Sequence, residues 1–444
     1  MIMNTNQSRG GSQTARFIWR PRLEKQCRNK NAKAKEVLFF NSELRITNYE
    51  LKKRGVYVMK KIFCLALLLC IFAAPVWAAG SALLTKIDDV GAVFDNLREN
   101  EDGRKAGKFV IITVDDWPDT ETIENHIQGI AYYNGFYIFS NSDSKNGKLV
   151  FVSTAAEAGV PKKAIWKDTP LRHPGGIQVI GDYLLVGAEG EDGGKNVGKI
   201  LLYDLTPLNS SPPKLPEDPK TLLSIDGKSK ASTVGVADIG RLKGAAVPAD
   251  KSVYVVGVTS GSKLDLYSSN QVNKGDIAGI TGLTLQTSYD FSFDSDYNSI
   301  ALFSGGDDAL YFIGFRAPSY FASYRDIYDV YQLTDENGNF IKDSKGRPKQ
   351  VRYDQYCLTI HEGLDRFAGV HFRWGAGIHI ESGSEIVLFA TDRNRDGKQV
   401  QINIFAPADG IWLPKKKGGG CNAGLMPGLW VGLWTFAFML KKRR

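Results

Sequence analysis

The sequence predicts an all-β fold, a β-propeller of about five to seven blades, from its strand pattern and an internal repeat. Short apolar runs such as "FYIFS", "YLLVG" and "VYVVGV" are separated by Gly, Asn, Asp and Ser, and no long amphipathic helical stretch competes with them. The segments "HIQGIAYYNGFYIFS" from His126 and "HPGGIQVIGDYLLVG" from His173 share a basic residue, a glycine three positions later, an isoleucine, a turn and an apolar strand. A β-sandwich or a two-domain all-β body stays open as the alternative.

Weaker copies of the repeat indicate the number and spacing of the blades. They begin at Arg241 and Arg366, and a two-strand segment from Asp290 keeps the pattern without the basic residue. The five starts, near 126, 173, 241, 290 and 366, are 47, 68, 49 and 76 residues apart, whereas common propeller blades repeat every ~40 to 50 residues. The longest interval contains "DENGNFIKDSKGRPKQ", whose turns predict an extra hairpin or a long loop. The predicted body covers residues 79–410.

The segment before the body, residues 59–78, is typical of a signal peptide. It begins at Met59 with "MKK", continues with an apolar core, and ends with Val76 and Ala78 at the −3 and −1 positions of a cleavage site. We therefore expect signal peptidase to cut after Ala78. Residues 1–58 are polar and basic without helical or strand periodicity, and we expect them to be a disordered upstream extension that does not belong to the exported protein.

The charge of the whole chain does not describe the body. A formal net charge of +8 would suggest nucleic acid or an anionic membrane as partner. Residues 1–58 hold 13 Lys/Arg against 4 Asp/Glu, and further lysines and arginines lie at positions 60–61 and 441–444. The body between them is therefore mildly acidic, and no nucleic-acid partner is expected.

Cysteine usage gives a second property of the exported part. Of the five cysteines, only Cys357 and Cys421 follow the predicted cleavage site. One cysteine in the body and one near the end cannot form an internal disulfide framework. The body must therefore be stabilised by an ordinary hydrophobic core.

The C-terminal segment 423–444 is predicted to be a transmembrane helix with a basic cytoplasmic end. Ala423 to Leu440 are apolar except Thr435, which makes a helix of about 27 Å, close to the thickness of the hydrocarbon layer. Lys441 to Arg444 would stay in the cytoplasm by the positive-inside rule. Because the signal peptide exports everything before this helix, the body is expected outside the inner membrane.

The linker 411–422 contains Gly418, Gly419, Gly420 and Cys421 directly before that helix. The order "GGGCNAG", apolar helix and basic end resembles the Synerg-CTERM type of C-terminal sorting signal. The resemblance implies cleavage by an intramembrane sorting protease, with Cys421 at the position of the family's cysteine, and membrane attachment through the helix before processing. It implies a location in the cell envelope or at the cell surface, either anchored or sorted. A plain C-terminal anchor stays open as the alternative.

The repeated basic residues are the candidate ligand-binding site. In a propeller, the first strand of each blade lines the central channel, so His126, His173, Arg241 and Arg366 would form a partial ring at one mouth. Such a ring could bind an anionic group such as a carboxylate, or its imidazoles could bind a metal or transfer protons. The alternative is that these residues repeat only because the blade repeats, and bond to the neighbouring blade.

A calcium loop is the second candidate site. In "DRNRDG", Asp392, Asn394 and Asp396 alternate and a glycine follows, as in oxygen-ligand calcium loops. Position 12 is Asn403 where an EF-hand needs a bidentate glutamate, and Asp-Gly between two strands is also an ordinary hairpin turn. Calcium is the only candidate cofactor.

The function predicted from these features is a binding or interaction module for a surface polymer, a peptide or a partner protein. The body contains no G-x-S-x-G, H-E-x-x-H, P-loop or C-x-x-C motif. The alternative is a propeller hydrolase or lyase that uses the His and Arg residues of the channel mouth, with or without calcium. Convergence of His126 and His173 in an open channel, near an acid such as Asp238 or Asp290, would favour the enzyme. A filled channel would favour binding at the surface.

Overall fold

The computed structural model describes residues 85–99, 105, 107–117, 126–142, 146–154, 162–227, 231–291, 297–316, 326–357, 370–393 and 399–407. All of them lie in the structural unit Ala79–Arg444. In these ranges the chain is almost entirely β-strand, which confirms the predicted all-β class. None of the helices in these ranges has the length and apolar character needed to cross a membrane. The predicted signal peptide, sorting motif and C-terminal helix lie outside the described residues.

The chain enters the fold through three short elements. They are β1 (Lys86–Ile87), α1 (Val90–Asp95) and β2 (Lys108–Thr113). The helix α1 begins after Asp89, whose side chain accepts a hydrogen bond of 2.9 Å from the amide of Ala92. This is the usual way in which an N-cap aspartate satisfies a free amide of the first turn.

Two four-stranded antiparallel meanders follow. Blade 1 consists of β3 (Ile127–Tyr133), β4 (Phe136–Asn141), β5 (Lys148–Ser153) and β6 (Ala164–Asp168). Blade 2 consists of β7 (His173–Ile180), β8 (Tyr183–Asp192), β9 (Lys195–Asp204) and β10 (Lys220–Asp226). Every residue of β4 is buried, because another blade covers each face of the sheet, and such strands are continuous apolar runs.

Blades 3 and 4 repeat this arrangement with insertions. Blade 3 has the strand order β11-β14-β15-β17, and its strands and small insertions are β11 (Thr233–Ile239), β12 (Arg241–Leu242), β13 (Ala245–Ala246), β14 (Lys251–Ser260), β15 (Lys263–Ser269), β16 (Val272–Asn273) and β17 (Leu283–Asp290). Blade 4 consists of β18 (Ser299–Gly305), β19 (Leu310–Arg316), β20 (Asp326–Gln332) and β21 (Lys349–Cys357).

Blade 5 is assembled from both ends of the described chain. It contains β22 (His371–Ser382), β23 (Glu385–Thr391) and β24 (Gln399–Phe405), and β2 is its fourth strand. The strands β2 and β24 pair antiparallel along their length, with Val110 opposite Ile402. The early strand thus completes the last blade and joins the beginning of the ring to its end.

The innermost strands of the five sheets form a closed ring. β3 contacts β7, β7 contacts β11, β11 contacts β18, β18 contacts β22, and β22 contacts β3 again. Where β7 and β11 pair directly, at Gly176 and Thr233, they are parallel. The fold is therefore a five-bladed β-propeller whose innermost strands run in the same direction. The number of blades lies at the lower end of the predicted five to seven.

Two of the predicted blade starts agree with the innermost strands, the starts near Arg241 and Asp290 do not, and Arg366 lies outside the described residues. β3 begins directly after His126, and β7 begins at His173. In blade 3 the innermost strand begins at Thr233, so that Arg241 lies after it. The copy beginning at Arg241 places β14 correctly as the second strand but takes the insertion β12–β13 for the first. The innermost strand of blade 4 begins at Ser299 rather than near Asp290. The pattern of a strand, a turn and a second strand does not by itself show which strand is the first of a blade.

Packing between blades supplies the predicted hydrophobic core. Between blades 3 and 4, the ring of Phe291 stacks on that of Phe312 with centroids 5.4 Å apart and meets Tyr297 and Tyr331 edge to face. Each such pair adds ~0.5–1.5 kcal/mol to the free energy of burial. These contacts hold neighbouring blades, and therefore the ends of their innermost strands, at fixed positions.

The N-terminal segment closes the mouth at the C-terminal ends of the innermost strands, here called the lower mouth. β1 pairs parallel with the end of β18, with Lys86 opposite Ser304. The Thr85 side chain accepts a hydrogen bond from the amide of Asp238 near the end of β11, and the Asp88 amide donates to Gly383 after β22. The segment thus bonds to blades 3, 4 and 5. We call the opposite end of the innermost strands, where their N-termini lie, the upper mouth.

The central axis is filled. Gln178 of β7 donates to the carbonyls of Val236 in β11 (3.0 Å) and Leu302 in β18 (2.9 Å), and its side-chain oxygen accepts from the amides of the same two residues (2.8 and 3.0 Å). Gly175 lies so close to the carbonyl of Ser232 that no side chain would fit there. Three innermost strands therefore meet directly around the Gln178 side chain in the described part of the fold.

Candidate functional site

Three histidines lie at the upper mouth, at the N-terminal ends of neighbouring innermost strands. His126 precedes β3, His173 begins β7, and His371 begins β22. In each strand the antiparallel register shifts directly after the histidine, between Ile127 and Gly129, Pro174 and Ile177, and His371 and Gly375. Register shifts of this kind are β-bulges, which often lie beside binding sites because they redirect side chains.

The third histidine was not predicted as part of the ring. The sequence repeat has a glycine three positions after the basic residue, and His371 is followed by glycine only at Gly375, one position later. The bulge in β22 accommodates the extra residue. The sequence does contain a histidine followed by a glycine, His371 and Gly375, but four positions apart. The repeat requires three positions, and for that reason Arg366 was predicted as the basic residue of this blade. Arg366 lies outside the described residues.

Arg241 is not part of the group at the upper mouth. It begins β12 after the C-terminal end of β11, and a Cβ placed on Gly338 would lie 2.5 Å from its carbonyl. It is therefore at the other end of its blade, beside the loop between β20 and β21. Among the described residues no three His, Cys, Asp or Glu side chains are grouped closely enough to hold a metal ion.

Trp374 lies at the upper mouth, in the bulge of β22 between His371 and Gly375. Its side chain is buried, with 6% of it solvent-accessible. The Arg373 guanidinium carbon lies 4.6 Å from the centroid of its ring, and that of Arg393 lies 5.1 Å away. Each guanidinium forms a favourable cation–π interaction with the indole, and both arginines are thus positioned by the same ring.

His126 of blade 1 completes this group. Its ring meets the Trp374 ring edge to face, with centroids 5.7 Å apart. The Gln128 side-chain nitrogen lies 2.7 Å from His126 Nε2 and 3.3 Å from the Ser142 hydroxyl. The amide donates, so that Nε2 accepts and Nδ1 carries the proton. We call the group of His126, Arg373, Trp374 and Arg393 the Trp374 face.

All four residues of the Trp374 face can donate hydrogen bonds, and none of the four is itself a carboxylate. The indole Nε1 of Trp374 is buried and has no hydrogen-bond partner among the described residues. Indole N–H is only a donor, and a guanidinium offers five donors and no acceptor. A buried donor without a partner costs about 1–3 kcal/mol. A ligand acceptor, above all an anionic one, would satisfy it.

The acidic groups beside His371 are buried and already paired. Asp326, with 0% exposure, holds both carboxylate oxygens 3.3 Å from His371 Nδ1. Asp329 accepts from Arg316 Nε at 2.7 Å and from the Tyr297 hydroxyl at 3.0 Å. Burial, with the neighbouring charge of Asp329, raises the pKa of Tyr297 far above its usual value. This network joins blades 4 and 5 and keeps the Tyr297 hydroxyl protonated.

Blade 2 contributes a different pair. His173 and Glu189 are directly opposite each other in the antiparallel pairing of β7 and β8. Burial raises the pKa of Glu189, and the nearby charge of Arg172 opposes that change. Glu189 Oε2 is buried and has no hydrogen-bond partner among the described residues. A carboxyl without donors in such a site is held toward its neutral form.

The other predicted acids are not at this mouth or not fully described. Asp238 lies near the lower end of β11 and accepts from Ser252 (3.0 Å) and Lys274 (2.8 Å). Asp290 ends β17, the outermost strand of blade 3. Asp392 follows β23, and its amide donates to Gln401 in the adjacent strand. Asn394 and Asp396 lie outside the described residues, and the calcium loop stays a prediction.

The comparisons with known proteins concern the fold. No protein-family model and no curated protein sequence matches the chain. Among solved structures, a thermostable family-43 glycoside hydrolase is 10% identical over 65% of this chain and 91% of that one, with a TM-score of 0.32. The catalytic domain of the Coprinopsis cinerea GH62 α-L-arabinofuranosidase is 10% identical over 67% and 97%, with a TM-score of 0.35.

A third similar structure is the Bombyx mori GH32 β-fructofuranosidase, 15% identical over 65% of this chain and 63% of that one, with a TM-score of 0.34. Identities and TM-scores this low support no statement about activity, and the five-bladed fold rests on the strand order. The fold and the upper mouth define a β-propeller with a filled axis and a face rich in hydrogen-bond donors.

Proposed function

We propose that the protein is an exported β-propeller, sorted to the cell envelope, that acts as a binding module for a carboxylate-bearing ligand at the Trp374 face. The carrying observation is the stacking of two guanidiniums, from Arg373 and Arg393, on the ring of Trp374. The filled axis supports binding at the surface rather than in a channel. Export and sorting rest on the predicted signal peptide and tail.

The geometry suits a carboxylate for three reasons. Charge-assisted hydrogen bonds from guanidinium to carboxylate are about twice as strong as neutral ones and are often bidentate. Stacking on the indole reduces the side-chain entropy that the arginines would otherwise lose on binding. Trp374 Nε1 adds a buried donor without a partner among the described residues.

The test compares binding of the full-length protein, purified in mild detergent, to polygalacturonate and to its methyl ester. The ester keeps the polymer and removes its charge, so binding to polygalacturonate alone supports the proposal. Arg373→Gln and Arg393→Gln should each weaken that binding at least ~10-fold, as expected for the loss of a charge-assisted bond of ~1.5–3 kcal/mol. Lys108→Gln is the matched control, because Lys108 is exposed on β2 of the same blade. Equal binding of acid and ester would overturn the proposal.

The second candidate function is a propeller hydrolase or lyase, and it is favoured by one observation. Glu189 is an acid without a hydrogen-bond partner for Oε2 among the described residues, and burial raises its pKa. Groups with perturbed pKa values concentrate at functional sites. Glu189 lies opposite His173 in the pairing of β7 and β8. The innermost strand of this blade contacts that of blade 1, which follows His126. The two acid–base groups are therefore at the same mouth as the Trp374 face.

A further inference from the structure

We infer that His173 and Glu189 form a proton-transfer pair that cleaves a uronate-containing polysaccharide by β-elimination. The inference rests on the proposed function, since it takes the carboxylate-bearing polymer to be held at the Trp374 face. The new element is a reacting subsite on blade 2, made by Arg172, His173 and Glu189.

The two side chains lie on the same face of the sheet. Residues directly opposite in an antiparallel pair have Cβ atoms about 4.5–5.5 Å apart and point to the same side. His173 and Glu189 are such a pair, directly before the register shift that follows Pro174. Both are partly exposed to solvent. An imidazole and a carboxyl of this spacing can reach two neighbouring atoms of one substrate.

Glu189 differs from the other described carboxylates of the upper mouth. Asp326 faces His371, and Asp329 is bonded to Arg316. Glu189 Oε2 has no such donor among the described residues, and the charge of Arg172 only opposes the effect of burial on its pKa. Burial without a donor favours the protonated carboxyl. Glu189 is thus suited to give up a proton, whereas the carboxylates of Asp326 and Asp329 have His371 and Arg316 as close partners.

The pair matches the proton balance of an elimination. The carboxylate of the reacting uronate lies on the exposed guanidinium of Arg172, which makes the hydrogen on the neighbouring ring carbon, C5, more acidic. His173 removes that proton, the electron pair forms the C4=C5 double bond, the C4–O bond breaks, and Glu189 protonates the leaving oxygen. The imidazolium then returns its proton to the carboxylate of Glu189. No water, oxidant or metal is consumed.

Hydrolysis would need a different arrangement. Glycosidases of the usual type place two carboxyl groups about 5–9.5 Å apart on opposite sides of the bond. At the upper mouth, the described partners of Asp326 and Asp329 occupy those carboxylates, and the group beside Glu189 is an imidazole. A base and an acid that lie side by side, such as His173 and Glu189, instead act on two neighbouring positions on one face of the sugar: the base removes a proton at one, and the acid supplies a proton at the other. This is the requirement of a syn elimination.

The experiment incubates the full-length protein with polygalacturonate and with alginate, and follows the ultraviolet absorbance of the conjugated unsaturated uronate. Wild type should generate this absorbance in step with new chain ends. Glu189→Gln and His173→Gln should reduce the rate at least ~100-fold, the usual scale for a general acid or base, and should change binding less than twofold. Glu191→Gln is the matched control, since Glu191 is exposed two residues further along β8.

The outcomes separate this inference from the proposed function. Chain ends without ultraviolet absorbance would mean hydrolysis and would overturn it. Binding of the polymers without cleavage would also overturn it, while the proposed binding function would stand. Absence of binding to every uronate polymer would overturn both. Equal rates for wild type and the two variants would assign the cleavage to other residues.

Discussion

Replacement of Gln178 by leucine tests whether the filled axis stabilises the propeller. The side chain bonds to the amides and carbonyls of Val236 and Leu302, four contacts of 2.8–3.0 Å with two other blades. Gln178 is 3% exposed. Leucine has a similar volume but cannot bond, so four buried backbone groups would lose their partner. At about 1 kcal/mol or more for each unsatisfied group, the free energy of unfolding should fall by roughly 4 kcal/mol.

The assay is urea unfolding of the full-length protein, followed by circular dichroism. A loss of ~4 kcal/mol is a large part of the ~5–15 kcal/mol that stabilises a typical domain. Gln286→Leu is the control, because Gln286 lies on the outer strand of blade 3 and bonds to Ser268 at the surface. A loss below about 1 kcal/mol for Gln178→Leu, or an equal loss for the control, would show that the axis contributes little and would refute the reasoning.

Three further outcomes follow from contacts and segments described above. Gly175→Ala should destabilise the protein in urea unfolding, because a Cβ would collide with the Ser232 carbonyl, whereas Gly282→Ala, with nothing within 4 Å, should not; equal midpoints would contradict this. Glu189→Gln should be more stable than wild type near neutral pH, and the difference should vanish below the carboxyl's unfolded pKa of 4.5. The raised folded pKa means that the native state binds the extra proton, so wild type loses stability as pH rises, and a pH-independent difference would exclude this origin. Cys421→Ala should leave an uncleaved precursor that still carries 441–444 if the tail is a sorting signal; mass spectrometry showing identical full-length species in wild type and variant would leave only the plain anchor.

Local sequence patterns predicted the fold better than the site. The alternation of short apolar runs and turns is a local property, so the all-β class and the starts of β3 and β7 could be found. The closure of blade 5 by β2 could not, since "KFVIIT" is separated from "QVQINIF" by nearly the whole body and nothing local links them. The innermost strand of blade 3 was missed, because the insertion from Arg241 repeats the basic residue and the glycine directly before β14.

The Trp374 face could not be predicted because it is assembled from three separate places. Arg373 and Trp374 come from the bulge of β22, Arg393 from the end of β23, and His126 from the neighbouring blade. Only His126 belonged to a recognisable repeat. The pairing of His173 with Glu189 depends on the register of a hairpin, which the sequence does not specify to one residue. The predictions for the signal peptide and the tail remain predictions.

The position of β24 has a mechanical consequence. β24 is hydrogen-bonded on one side to β23 and on the other to β2, and Pro407 directly after it bridges to Leu97. Because β24 is bonded on both sides, it can leave the sheet only when the bonds to both neighbours break. If the tail anchors the protein as predicted, a pull on the chain beyond Pro407 is therefore resisted by a strand held on two sides and not by a free edge of the sheet.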